Sequence, residues 1–292
     1  MDPLLHFHRL PRPLRRHKVV QLATKLFPGS GRRLVQFNSG ARAFLDLQDA
    51  EARNVFITGC FEPEFFEIAA TIMAKGGVFF DGGANFGLCS FGLLCRVDVE
   101  RTDYHLFEAN PNLEAFLRKS QRAIAPHARM HINIACLSDH QGESRFKIDN
   151  TDTGKSHLND SGGFIVPNIV LDDYLRQTAV QKVRLLKLDI EGQELAALRG
   201  AKEALDAGLI DFVYCEIRSE LLALYEVGPI DVIEFFLIHG FKTFLCRSRD
   251  LVAPVTVGLD NDLVLHLEEI SDRISDGTDI LAIHRSVSIR SL

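Results

Sequence analysis

The sequence has no C-x-x-C pair, no histidine cluster at zinc spacing, no apolar run near the roughly 20 residues that cross a bilayer, and no internal repeat or low-complexity tract. Its six cysteines, Cys60, Cys89, Cys95, Cys136, Cys215 and Cys246, stand singly, most of them among apolar neighbours. These absences exclude a disulfide framework and argue against a structural metal site, leaving buried thiols in a reducing compartment. No apolar h-region of roughly 7 to 15 residues adjoins the basic N-terminus, so a secretory signal is not expected. A soluble, cytoplasmic protein is expected. An apolar fraction of 46% with 25% charged residues over 292 positions is the ordinary globular balance and excludes a largely disordered chain.

Charge is unevenly placed. The overall formal charge is −6, yet residues 1–43 carry Arg9, Arg12, Arg15, Arg16, Lys18, Lys25, Arg32, Arg33 and Arg42 against one acid, Asp2. We read this stretch as a solvated leader folding back on an acidic body. The other reading is an arm toward an acidic partner, with peripheral membrane contact left open. No stacking aromatics are interleaved with these basic residues, which disfavours nucleic acid.

Val19, Leu22, Ala23, Leu26 and Phe27 recur at helical spacing, and residues 34–37 and 43–47 flank a turn at Asn38-Ser39-Gly40, so residues 1–54 are expected to form a helix and hairpin extension. A helix over 65–73 follows. From 78 to 239 strands alternate with helices: strands at 78–80, 104–107, 130–135, 183–188 and 212–215, and helical patterns near 85–97, 113–124, 194–205 and 230–239. That alternation specifies a mostly parallel sheet with helices on both faces, filling residues 55–292 as the main domain. Ligands in such sheets bind outside the carboxyl ends of the strands. Asp81, Glu108, Asp189 and Glu216 each end a predicted strand and are expected around one crevice. The long segment 138–182 carries a polar run at 149–154 and two short added strands, near 146–148 and 164–166, as lids and binding loops do.

The turn after the first of these strands is Asp81-Gly82-Gly83-Ala84-Asn85-Phe86-Gly87. Glycine, and next asparagine, tolerate the positive φ that lets a ligand approach the backbone. The pattern is D-x-G-x-N-x-G, not the G-x-G-x-x-G that seats a pyrophosphate at a helix N-terminus. An acid ahead of the glycines suits a cation-bearing cofactor, and S-adenosyl-L-methionine has a sulfonium, an ammonium and no phosphate. Glu108, at the end of the second strand, is placed to accept both ribose hydroxyls. Ser138-Asp139 is in reach of the adenine amino group.

The chain resembles the FkbM-type branch of the class I S-adenosylmethionine-dependent methyltransferases over about residues 55–246. The resemblance rests on Phe61-Glu62-Pro63-Glu64, the turn from Asp81 to Gly87, Phe107-Glu108-Ala109-Asn110-Pro111, Leu137-Ser138-Asp139 with Gly142, Leu171-Asp172-Asp173, and Lys187-Leu188-Asp189-Ile190-Glu191-Gly192-Gln193-Glu194. Ala109 stands where the family commonly has proline. The resemblance implies a Rossmann-like fold and methyl transfer to a hydroxyl of a sugar, glycan or secondary metabolite. Its cofactor residues would be Asp81, Gly82, Gly83, Ala84, Asn85, Gly87, Glu108, Ala109, Ser138 and Asp139.

O-methylation needs in-line alignment and removal of the hydroxyl proton. Asp189 would face both methyl and acceptor, with Glu191 and Glu194 following three residues apart on one face of the first turn of a helix and Glu194 complementing the helix dipole. His157, in the long loop, competes as base. A divalent ion between Asp189 and Glu216 is the disfavoured alternative, because two carboxylates make a thin site. A nicotinamide oxidoreductase and a non-catalytic binding module remain the other readings of the fold.

Overall fold

Apolar stretches buried on both faces build the centre of the molecule. The structure is a computed structural model that describes residues 17–246 apart from 28, 39, 150 and 159–162, together with 255–259, 263–269, 278–287 and 289–291. Five strands, β1 (Gly77–Gly82), β2 (Thr102–Glu108), β3 (Arg129–Ile134), β4 (Val183–Leu188) and β5 (Ile210–Ile217), run parallel in the order β3-β2-β1-β4-β5. Beyond β5 lie β6 (Phe241–Leu245) and β7 (Thr278–His284), with β7 inserted antiparallel between β5 and β6. Strands 255–259, 263–269 and 289–291 extend that edge. This is the Rossmann-like α/β architecture expected, with helices on both faces.

Side chains alternate across the sheet with the period of two that strands impose. Phe79, Leu185 and Phe212 point into one core layer while their neighbours Phe80, Leu186 and Val213 point into the other. The first layer is covered by helices Leu88–Leu93 and Glu114–Ile124, which also carry the N-terminal hairpin Arg32–Phe37/Ala41–Asp46. The second is covered by helices Leu171–Thr178, Glu194–Arg199 and Pro229–Ile238. The chain leaves β1 toward β2 and β3, then returns to β4 on the other side of β1. That reversal opens a crevice between the carboxyl ends of β1 and β4.

Two features differ from the sequence reading. A helix, Ala50–Thr58, runs across residue 54, where the extension was expected to end. Asp49 caps it by accepting from Ala52 N–H at 2.8 Å, and Gly59, at φ 70°, closes it. The extension is also not a separate unit, since Val20, Val35, Phe37 and Ala43 share one core with Phe79 and Tyr104. Of the basic leader, Arg9, Arg12, Arg15 and Arg16 lie outside the described residues. Lys18 and Lys25 lie on the helix His17–Leu26, and Arg32 pairs with Asp46 at 2.9 Å. Among the described residues no helix is long and apolar enough to cross a membrane.

Candidate active site

At the reversal, the turns after β1 and β4 meet backbone to backbone: Asp189 N–H donates to the Gly82 carbonyl at 3.2 Å. Gly83, at φ 77°, has no room for a side chain, because a Cβ there would come within 1.8 Å of the Asp189 carbonyl oxygen. This corrects the simplest view of that glycine. The space beside Gly83 is taken by the neighbouring loop and not reserved for a ligand. Gly83→Ala is therefore expected to destabilise the fold by at least about 2 kcal/mol through overpacking at a positive φ. Denaturant unfolding checks this, and an unchanged midpoint would contradict it.

The turn is stitched to β2. Gly83 and Ala84 N–H both donate to the Phe107 carbonyl at 3.0 Å, and Asn85 N–H donates to Glu108 Oε2 at 2.6 Å. Glu108 Oε1 accepts from Asn110 N–H at 2.6 Å, and burial pushes this carboxyl up to about 7. Each Glu108 oxygen keeps a lone pair for another donor.

Asn85, at φ 50°, joins three elements. Its backbone is on Glu108, its Nδ2 donates to Glu51 at 3.0 Å, and its Oδ1 accepts from Thr153 Oγ1 at 2.9 Å. Thr153 N–H also donates to Asp49 at 2.6 Å, so the long loop is docked along the rim. Between these parts lies a cavity of about 270 Å³.

The cavity floor is an ion network. Lys187 Nζ is buried and donates to Asp189 Oδ2 at 2.8 Å. Asp189 also shares a hydrogen bond with Glu216. Burial and the Asp189 charge push Glu216 up to about 10, while Lys187 holds Asp189 below the usual carboxylate range against its own burial. At neutral pH the network is thus an ammonium, a carboxylate and a carboxylic acid, with the Glu216 proton shared toward Asp189. Burial, then Asp189 repulsion, lifts Glu191 to about 8, and the same causes lift Glu51 to about 8. Burial lifts Glu62 to about 7 even though Lys187 opposes the shift, and pushes the Cys89 thiol up so that it stays protonated. Glu62, Asn85 and Glu191 all line the cavity with φ between 32° and 55°, a conformation that costs energy in non-glycine residues and clusters at functional sites.

The structure brings together Gly83, Ala84, Asn85, Glu108, Ala109, Asp189, Glu191 and Glu216 around the cavity. It places other predicted residues elsewhere. Asp81 is fully buried inside β1 under the turn, where Oδ2 accepts from Ser90 Oγ at 2.5 Å and Oδ1 has no hydrogen-bond partner. Gly82 and Gly87 face packed side chains, Leu137 and Phe91. Ser138 and Asp139 turn toward His140, and the residues facing the cavity there are Ala135, Cys136 and Leu137. His157 faces away, since its strand neighbour Leu158 and the preceding Ser156 line the cavity and strand side chains alternate. Glu194 accepts from Ile190 and Gly192 N–H at 2.9 and 3.3 Å, shaping the loop that presents Glu191. Glu51, Glu62, Lys187 and Thr153 also line the cavity, although the sequence assigned them no role in the site. The capping residue Asp49 signals the helix that brings Glu51.

Residues 81–243, more than half of the chain, match the family model described as the methyltransferase FkbM domain. The hexuronic acid methyltransferase AglP of Haloferax volcanii is 26% identical over 176 residues, 59% of this chain and 67% of that protein. Among solved structures, the methyltransferase FkbM of Methylobacillus flagellatus KT superposes with a TM-score of 0.45 at 15% identity. The superposition covers 79% of this chain and 52% of that one, so this chain spans about half its length. The magnesium protoporphyrin IX methyltransferase of Synechocystis PCC 6803, solved with bound SAM, gives a TM-score of 0.39 at 11% identity, over 75% of this chain and 77% of that one.

Proposed function

Because this chain belongs to the FkbM methyltransferase family, we propose that it binds S-adenosyl-L-methionine in the cavity between β1 and β4 and methylates a hydroxyl of a sugar-related acceptor. The observation that carries this reading is the meeting of the glycine turn, Glu108 and Asp189 around one cavity at the reversal of strand order. The residues fit the cofactor. Glu51, Glu62, Glu108, Asp189 and Glu191 line the cavity beside Lys187 and Arg218, and the carboxyls lifted to about 7–8 are poised to ionise against a sulfonium and an ammonium, which supports this cofactor over the nicotinamide reading. Glu108 holds its two oxygens toward a diol, and Ala135, Cys136 and Leu137 offer an apolar wall for a base. When bound, this cofactor supplies an electrophilic methyl group on sulfur.

The chain's own residues then have distinct tasks. Asp189, held ionised by Lys187 and by the Glu216 proton, accepts a hydrogen bond from the acceptor hydroxyl and orients its oxygen. Its lowered basicity makes it a weak proton acceptor. Glu191, held near neutrality at about 8, is better matched to take the proton. A sugar-related acceptor is supported by the name of the Haloferax volcanii relative.

Calorimetric titration tests the cofactor assignment. Binding of S-adenosylmethionine in the micromolar range, with none of NAD, is expected, and absence of both would leave a non-catalytic module. The proton assignment has a pH signature. A base must be unprotonated, so kcat/KM is expected to rise with pH and level off above about 8, and Glu191→Gln should remove the rise. A profile flat from pH 5 to 9 would return the proton to Asp189.

A further inference from the structure

On the face of the sheet covered by helix Leu171–Thr178, three metal-ligating side chains that do not line the cavity converge. Asp103 and His105 lie two apart on β2 and therefore share a face, and His131 on β3 is the register partner of His105. The two imidazoles stack with centroids 4.3 Å apart and their planes 18° from parallel, so one ring must turn about its χ2 for both Nε2 lone pairs to meet at one ion. Asp103 Oδ1 lies 3.2 Å from His131 Nε2 and 3.8 Å from His105 Nε2, and all three ligand atoms fall within 4.8 Å of one another. Tetrahedral zinc with bonds of about 2.0–2.1 Å sets its ligand atoms about 3.3 Å apart.

A second observation points into the same space. His105 is 2% exposed, and its Nε2 has no hydrogen-bond partner; the buried Asp103 Oδ1 beside it accepts no hydrogen bond and has the ion-pair contact with His131. Buried polar atoms are ordinarily satisfied, so the unpartnered His105 Nε2 aimed toward Asp103 and His131 points to a ligand there. His105 Nδ1 lies 2.7 Å from the Tyr174 hydroxyl, to which Asn133 Nδ2 donates at 3.2 Å. With Nδ1–H donating to Tyr174, the ring is fixed and the Nε2 lone pair faces Asp103, the outer-shell arrangement that orients metal-bound histidines. Two imidazoles and one carboxylate suit zinc-type ions and not calcium or magnesium.

We propose that Asp103, His105 and His131 bind one divalent transition-metal ion of the zinc type. His131, with a side chain 53% exposed, gives the ion its path from solvent and leaves a further coordination position open. The ion clamps β3, the edge strand of the parallel sheet, to β2 and, through Tyr174, to the helix above. None of the three ligands lines the cavity, so the ion's role is structural.

The test is a titration of chelator-treated, full-length protein with Zn²⁺ against a chromophoric indicator, with thermal unfolding followed in parallel. One Zn²⁺ per chain is expected, together with a raised unfolding midpoint. His131→Ala and Asp103→Asn, at partly exposed positions that spare the buried imidazole, should each weaken binding by about tenfold or more and abolish the midpoint shift. His127→Ala, an exposed histidine elsewhere, should leave both unchanged. Absence of stoichiometric binding at micromolar Zn²⁺, or equal binding by His131→Ala, would overturn the proposal.

Discussion

Asp189→Asn is expected to lower turnover by roughly 10²-fold, the scale of lost alignment, while cofactor affinity stays within about threefold of wild type. The substitution keeps shape and an acceptor oxygen but removes the charge that Lys187 and the Glu216 proton converge on. The amide then has to choose between the ammonium and the acceptor hydroxyl, and the oxygen to be methylated loses its fixed direction. A one-ångström error in such alignment is costly, because in-line transfer draws much of its rate from orientation. Steady-state kinetics with a true acceptor, together with a cofactor titration, separates the two effects. A folded Asp189→Asn enzyme that turns over within about threefold of wild type would show that alignment is set elsewhere.

Glu108→Ala acts on binding. Loss of this carboxylate is expected to weaken S-adenosylmethionine by roughly 1.5 to 3 kcal/mol, about 10- to 150-fold, the scale of hydrogen bonds to a charged group. The same change strands the Asn85 and Asn110 N–H groups that Glu108 now satisfies, so the unfolding midpoint should also fall. Calorimetry below that midpoint reads affinity in the folded protein. A loss of less than a few tenths of a kcal/mol would move the ribose away from Glu108.

How much of this was visible in the sequence depended on the range of the interaction. The parallel strands and the flanking helices were legible, because Val78-Phe79-Phe80 or the run 183–188 carries its own periodicity and is buried whatever its partners. The glycine turn, Glu108 and Asp189 were legible as residues that end strands, and a parallel sheet gathers strand ends. Helix Ala50–Thr58 was not read, since its apolar pattern is weak and its stability comes from the Asp49 cap and from packing. With it went Glu51, whose place in the cavity depends on contacts to Asn85 across 34 positions.

His157 illustrates the converse. Its chemistry suggested a base, but the parity of a two-residue strand turned it outward, and one-residue parity in a long loop is not readable from composition. Asp81 was identified by type and position, yet its carboxylate is inside the strand, one layer below the turn. The cluster of Asp103, His105 and His131 escaped because cross-strand neighbours share no sequence spacing.

The central claim is methyl transfer from the cavity between β1 and β4 to a sugar hydroxyl. Its most direct test is incubation of the full-length chain with S-adenosylmethionine labelled in the methyl group and a panel of acceptors that includes hexuronic acids, neutral glycosides and glycolipids. The account predicts label on an oxygen of a sugar-containing product with wild type, and its loss with Asp189→Asn. Transfer that Asp189→Asn leaves intact, or no transfer to any sugar while the cofactor binds, would contradict it.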